Sequence, residues 1–267
     1  MKLIRGGSVQ VVLLAGGMGT RLREETEYRP KPMVEIGGRP ILWHIMKNFA
    51  TQGHNEFIVC LGYKGDFIKD YFLNYESRAS DITLSLGSKT VRSLHNTSDE
   101  SSWTITLANT GLLTPTGGRI SRINQYITGD KFLCTYGDGL ANVNLEELLA
   151  FHNSHGKIAT VTTVQPTTRF GALEFNSEGL VTRFHEKPKS ENWINGGFFV
   201  FDKRIFNYLS DSSTLEQEPL NQLVKDEQLV AFKHLGFWQP MDTYRESTEL
   251  NEMWEKGNAP WKTWRDE

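Results

Sequence analysis

The residues best suited to chemistry stand in one string, Leu14-Ala15-Gly16-Gly17-Met18-Gly19-Thr20-Arg21-Leu22, with Pro30-Lys31-Pro32 shortly after. Glycines at the C-terminal end of a strand can turn several backbone N–H groups toward one point, making a nest for an anion such as a triphosphate. Side chains there would block the approach. Arg21 can add a planar fork of donors, and Lys31, fixed between two prolines, a point charge on a stiff segment. Spacing excludes two common alternatives. A dinucleotide fingerprint counted from Gly17 and Gly19 needs a third glycine where Leu22 stands, and no Gly-Lys-Ser/Thr follows as a Walker A loop requires. An isolated Gly-Gly at a strand end is more often a plain turn. The full string with Arg21 and Pro-Lys-Pro is harder to read that way.

Carboxylates supply the second element. Magnesium takes one or two protein carboxylates beside substrate phosphates and water. Asp138, between Gly137 and Gly139 just past an apolar run, and Asp242, behind Gln239-Pro240-Met241, are the candidates. From the dipeptide alone, an ordinary Asp-Gly turn is an equally good reading of Asp138. His152 and His155 have helical spacing, but no acidic or cysteine partner stands nearby in the sequence, so they read as structural rather than as a zinc site. His44 reads as packing of its helix.

Such residues must be held by regular elements. Val9 to Ala15 is a short β-branched apolar run, the pattern of a strand buried on both faces. Pro40 opens a helix over 41–52 that Gly53 closes, and Phe57 to Leu61 is the next strand. Phe132 to Tyr136 is another, followed by a helix that Asn144 and Glu147 cap and Gly156 ends. This alternation predicts an α/β fold, a mostly parallel mixed sheet flanked by helices. After Pro166 short strands at 172–175, 180–185 and 197–201, with a turn at 176–179, predict a smaller antiparallel layer. The chain of 267 residues is expected to form a single domain, with a nucleotide-binding half over about 9–165 and a sugar-phosphate half over about 166–267.

Composition narrows the function. A formal net charge of −3 lacks the electrostatic footprint of a nucleic-acid binder, so phosphate must be held locally. Cys60 and Cys134, each in an apolar run, read as buried core residues. The basic start followed by Val9 to Ala15 is too short for a secretory signal, and no apolar stretch approaches the roughly 20 residues that span a bilayer. A cytoplasmic enzyme without membrane partners is expected.

The sequence resembles the sugar-phosphate nucleotidyltransferases, whose signature is a G-G-x-G-T-R-L loop followed by P-K-P. The resemblance runs over nearly the whole chain and is closest to their glucose-1-phosphate cytidylyltransferase branch. It is carried also by Tyr136-Gly137-Asp138-Gly139, Arg169-Phe170-Gly171-Ala172, Glu186-Lys187-Pro188, Asn195-Gly196-Gly197 and Gly236 to Thr243. It implies a Rossmann-like nucleotide-diphospho-sugar transferase fold, and transfer of a cytidylyl group from CTP to glucose 1-phosphate with release of pyrophosphate. Mg2+ would be held by Asp138 and Asp242, and the product would feed surface-polysaccharide O-antigen synthesis. Gly16, Gly17, Gly19, Thr20, Gly137 and the adjoining Leu14 and Ala15 would bind the nucleotide. Lys187 would clamp the sugar phosphate, with Glu186, Gly171 and Asn195 around the sugar. Arg21, Lys31, Asp138, Lys187 and Asp242 together would carry the reaction.

Cytosine presents acceptors at O2 and N3, whereas uracil and thymine carry a proton on N3, so a positioned arginine suits cytosine. Arg119, in Thr116-Gly117-Gly118-Arg119 at the start of a predicted helix, is the candidate reader; a solvent-facing basic residue in a first turn is the alternative. UTP or dTTP in place of CTP, and a non-catalytic nucleotide-sugar-binding subunit, are the rival readings. Trp254, Trp261 and Trp264, set in a polar C-terminal segment, suggest a subunit contact in a homo-oligomer, and the resemblance suggests a hexamer.

Overall fold

The computed structural model describes residues 8–85, 91–94, 99–167, 170–186 and 189–265. A seven-stranded sheet runs through it. In chain order its strands are β1 (Val11–Leu14), β2 (Glu56–Leu61), β3 (Thr104–Asn109), β4 (Lys131–Tyr136), β5 (Ala159–Val164), β6 (Ile194–Asp202) and β7 (Leu229–Lys233). Their order across the sheet is β7-β5-β6-β4-β1-β2-β3. β1 pairs in parallel with both β2 and β4, and β6 alone runs against its neighbours β4 and β5. The sheet is therefore mostly parallel, as expected. Because β6 sits between β4 and β5, the two halves inferred from sequence share one sheet.

β1 shows why the centre is so apolar. Side chains alternate across a strand, and Val11 and Leu13 enter one hydrophobic cluster while Val12 and Leu14 enter the other. The first cluster is covered by α1 (Ile41–Thr51), α2 (Gly65–Leu73) and residues of the later helices α4 (Leu145–His155) and α6 (Tyr244–Glu255). The second is covered from the opposite face by α3 (Thr116–Arg122) and α5 (Glu218–Lys225). Both cysteines lie in the sheet and are buried; burial pushes the Cys60 thiol up to about 12 and Cys134 up as well.

The helix ends follow the predicted signals. Pro40 precedes α1, and Asn144 caps α4 by accepting from the Glu147 N–H, with Gly156 in the left-handed region beyond its end. The expected antiparallel layer is only the hairpin Ala172–Phe175 with Val181–His185, closed by the turn at Asn176 and Gly179; the third strand expected there, 197–201, belongs instead to β6 of the central sheet, where it pairs with β4 and β5. His152 and His155 share the hydroxyl of Thr160, each at 2.8 Å, which matches their structural reading.

The C-terminal tryptophans correct an expectation. Trp261 is fully buried in its own subunit, and Trp254, Trp261 and Trp264 surround the ring of His44 at centroid distances of 4.8, 6.3 and 6.1 Å. His44 Nε2 lies 2.8 Å from the Ile36 carbonyl, and burial pushes its pKa down to about 4. The tail thus folds back over α1, which takes Trp261 out of any subunit contact and leaves Trp254 and Trp264 only partly buried. No helix among the described residues is long and apolar enough to cross a membrane.

Candidate active site

Strand order decides where a ligand can sit. β1 leads across to β2 on one side and has β4 on the other, so the chain turns opposite ways from the C-terminal ends of β1 and β4, and ligands of open α/β sheets bind at such a switch point. The glycine loop follows β1 and Asp138 follows β4. The Gly137 N–H donates to the Leu14 carbonyl at 3.1 Å and ties the two strand ends together. Gly19 has φ of +62°, and a Cβ there would come within 2.8 Å of Thr26 and 3.0 Å of Lys31, so the loop needs glycine for both conformation and space.

Lys31 sits in a short 3-10 turn directly after Pro30, and its ammonium is the hub of the site. Its Nζ lies 2.6 Å from Asp138 Oδ2 and 2.5 Å from Asp242 Oδ1. Arg21 reaches the other oxygen of Asp242 at 2.7 Å while remaining largely exposed. Asp242 is brought from far along the chain by pairing of Trp238–Pro240 with Gly139–Ala141, and the Met241 N–H donates to the Asp138 carbonyl at 2.8 Å. Glu246, in the capping box that starts α6, accepts from the N–H groups of Asp242 and Thr243 at 2.8 and 2.9 Å. Two carboxylates and two cations from four separate segments thus converge with their backbones fixed.

Two cavities meet at this cluster. One, of about 310 Å3, is lined by Leu14, Ala15, Gly16, Gly17, Gly19, Thr20, Arg21, Lys31, Thr116, Arg119, Tyr136, Gly137 and Asp138 among others. The other, of about 370 Å3, is lined by Asn195, Gly196, Gly197, Glu216, Trp238 and Asp242, and shares Arg21, Tyr136 and Asp138 with the first. The residues expected around a nucleotide therefore come together on one side of Asp138, and Asn195 lies on the other. Glu186 and Gly171 stand beside each other at the base of the exposed hairpin and line neither cavity. Lys187 lies outside the described residues, as does Arg169.

Arg119 differs most from its sequence reading. The residue is 4% exposed, and its terminal nitrogens donate to the carbonyls of Leu61, Gly111, Gly16 and Leu112 and to the Thr110 hydroxyl at 2.8 to 3.3 Å. These donors are spent on four backbone carbonyls and one hydroxyl, so the guanidinium braces the glycine loop against the ends of β2 and β3 while it lines the cavity. Gly117 and Gly118 are also packing residues: a Cβ would lie 2.7 Å from the Ser213 carbonyl at the first and 2.2 Å from the Asp211 carbonyl at the second.

Sequence reasoning missed Glu216. Its carboxylate accepts from the Tyr136 hydroxyl and, at 2.6 Å, from Thr116, so it links the walls of the two cavities. Burial, then the negative charge of Glu216, raises the Tyr136 pKa, which keeps the phenol a donor. No motif surrounds Glu216 in a Ser- and Glu-rich stretch; only Tyr136, at the head of Tyr-Gly-Asp-Gly, carried a signal.

Residues 10–257 match the Nucleotidyl transferase family. This chain belongs to that family. The glucose-1-phosphate cytidylyltransferases of Salmonella typhimurium and Salmonella typhi are each 49% identical to this nucleotidyltransferase over 259 residues, 96% of its chain and 100% of theirs. Among solved structures, a UDP-glucose pyrophosphorylase complexed with UDP-glucose superposes with a TM-score of 0.67 at 16% identity, over 94% of this chain and 99% of that one. At that identity the likeness concerns the fold alone.

Proposed function

We propose that this protein transfers the cytidylyl group of CTP to α-D-glucose 1-phosphate, forming CDP-glucose and pyrophosphate. The observation that carries the reaction class is the meeting of two cavities at Asp138, with Lys31 and Arg21 set among the carboxylates at the junction. The choice of substrates is supported by 49% identity across the full length of proteins named glucose-1-phosphate cytidylyltransferase.

An oxygen of glucose 1-phosphate attacks the α-phosphorus of CTP in line with the bond to the leaving group. The bond from that phosphorus to the oxygen bridging it to the β-phosphate breaks, and pyrophosphate departs with the electron pair. A phosphate monoester has a second pKa of about 6, so the nucleophile is already an anion near neutrality and no general base is needed. The protein's task is to align two polyanions and neutralise their charge. Backbone N–H groups of the loop at 16–20, with Lys31 and Arg21, hold the triphosphate; Asn195, with Glu186 and Gly171 on the hairpin side, receives the sugar phosphate, and Lys187 is assigned to its phosphate group from the sequence resemblance alone.

Asp138 and Asp242 fit a divalent cation, since one hard oxygen from each converges on the single point that the Lys31 ammonium occupies. We assign them to Mg2+, which when bound supplies charge neutralisation at the phosphates. The protein acts as a homo-oligomer, a hexamer in our reading, with the C-terminal segment contributing to the contacts through its partly buried Trp254 and Trp264 and not through Trp261. Pyrophosphate release measured for the four nucleoside triphosphates against several hexose 1-phosphates tests the assignment. CTP with glucose 1-phosphate should dominate, and a tenfold preference for UTP or dTTP would overturn the choice of base. No release with any pair would favour the non-catalytic binding subunit.

A further inference from the structure

Behind the segment that carries Lys31 lies a third cavity, of about 720 Å3, which shares no lining residue with the other two. Three guanidinium groups contribute to its wall. Arg29 is already engaged by Glu25 and Glu35, each at 3.2 Å. Arg39 and Arg78 make no ion pair among the described residues and lie instead on aromatic rings: Arg39 is 5.4 Å from the Trp43 centroid and 5.7 Å from that of Tyr75, and Arg78 is 5.7 Å from that of Tyr71. A stacked guanidinium has its face occupied and its edge donors free, the arrangement that receives a phosphate in a planar fork.

Tyr71 supplies an independent sign of a ligand. It is 7% exposed, lines the cavity, and its hydroxyl is buried without a hydrogen bond. The Arg39 guanidinium lies beside that hydroxyl and, as a neighbouring donor and charge, opposes the rise that burial imposes on the Tyr71 pKa, but an arginine cannot accept, so the hydroxyl's own proton has no acceptor. Buried polar atoms are nearly always satisfied, so an orphan facing a cavity of ligand size asks for an acceptor from the occupant. The same cavity has exposed ring surface at Tyr28 and Phe67, 71% and 49% accessible, and two exposed carboxylates, Glu35, which is paired with Arg29, and Asp70.

We infer that this cavity is a second, non-catalytic binding site for a phosphorylated nucleotide. Its phosphates lie on Arg39 and Arg78, its base stacks on Tyr28 or Phe67, and a ribose hydroxyl donates to Asp70. Met33, buried in the cavity wall, belongs to the same 3-10 turn as Lys31. Occupancy therefore moves or stiffens the turn whose ammonium joins Asp138 and Asp242, and alters turnover without competing for the cleft. That coupling rests on the proposed reaction, whereas the binding does not.

Titration calorimetry of the full chain with CDP-glucose tests the site. Wild type should bind two moles per mole of chain, and Arg78→Ser, an exposed change outside both clefts, one fewer, with turnover at low nucleotide within about twofold of wild type. A decrement of one supports the site even if the cleft itself fails to bind, which separates this inference from the proposed function. Equal stoichiometry for both proteins overturns it. Arg78→Lys, which keeps charge but loses the fork, should weaken the second site about tenfold and guards against a folding defect in the serine variant. Inorganic pyrophosphate is the second probe, and if it fills the site as tightly as CDP-glucose does, the nucleotide assignment falls. Inhibition by CDP-glucose should retain a component that excess CTP does not relieve and that Arg78→Ser abolishes; purely competitive inhibition overturns the coupling.

Discussion

Replacing Arg119 by methionine separates the two roles an arginine could play beside a nucleotide. Methionine keeps much of the buried stem and removes the donors. The loss is smaller than five hydrogen bonds, because several acceptors have other partners. The Leu61 carbonyl still receives the N–H and hydroxyl of Thr110 at 3.0 and 2.7 Å, and the Gly16 carbonyl still receives the Tyr63 N–H at 3.1 Å. The carbonyls of Gly111 and Leu112 are the ones left without a donor named above. An orphaned buried acceptor costs about 1–3 kcal/mol, and these two are only partly buried, so the total is about 2–4 kcal/mol. For a chain of this size the melting temperature should fall by roughly 5–15 °C. Loss of the brace on Gly16 should lower kcat/KM for CTP and UTP together, leaving their ratio within about threefold of wild type. Thermal denaturation and pyrophosphate release with each triphosphate give both quantities. A ratio that falls tenfold or more in a variant that melts like wild type would refute the bracing role and return Arg119 to base reading.

Asp138→Asn and Asp242→Asn should each lower turnover at least ~100-fold with the fold intact, because each removes charge where transition-state charge is neutralised; near-normal turnover at saturating magnesium would exclude that aspartate from the metal site. Trp261→Ala should cost about 3–5 kcal/mol by emptying a fully buried position, read as a lower urea midpoint, while light scattering should give an unchanged particle mass. His44 and His152, both pushed down to about 4 by burial, bind a proton more weakly in the folded than in the unfolded chain. Stability is therefore full above the ordinary histidine value near 6.5 and declines as pH falls toward 4, by up to about 1.4 kcal/mol per pH unit for each. Urea midpoints from pH 7 to 5 should show this slope, and His44→Gln should flatten it.

Much of the fold was legible because local signals and tertiary demands agree. Pro40, Asn144 with Glu147, Gly53 and Gly156 mark helix ends by chemistry that operates within a few residues, and the apolar run of β1 can only be a strand buried on both faces. The edge strands β3 and β7 carried weaker signals, since Thr104–Asn109 and Leu229–Lys233 mix polar and apolar residues, and their place follows from pairing with partners distant in sequence. The tryptophan tail misled for a related reason. A polar segment bearing three large rings must cover them with something, but its composition does not say which of them the segment's own subunit covers; Trp261 is covered fully and Trp254 and Trp264 in part, all about His44.

The site divides along the same line. Glycines, Pro-Lys-Pro and Asp-Gly announce themselves because loop conformation and close approach restrict which residue types can serve, and these are the residues found at the junction of the two cavities. Arg119 has the right type in a suggestive string, yet type alone cannot reveal how many donors are already spent. Five acceptors, most of them backbone carbonyls, claim its terminal nitrogens, so the same charge that suggested a base reader is what allows the loop to be held open. Glu216 is the converse case. Nothing in its neighbourhood distinguishes it from a surface acid until the fold sets one oxygen on Tyr136 and the other on Thr116. Tyr136 is the last residue of β4 and Thr116 the first of α3, so one carboxylate fixes the end of a central strand to the start of a helix on the opposite edge of the cleft. Asp138 follows Tyr136 by two residues, which makes that tie part of what holds the Asp138 carboxylate in register with the glycine-loop wall of the cavity.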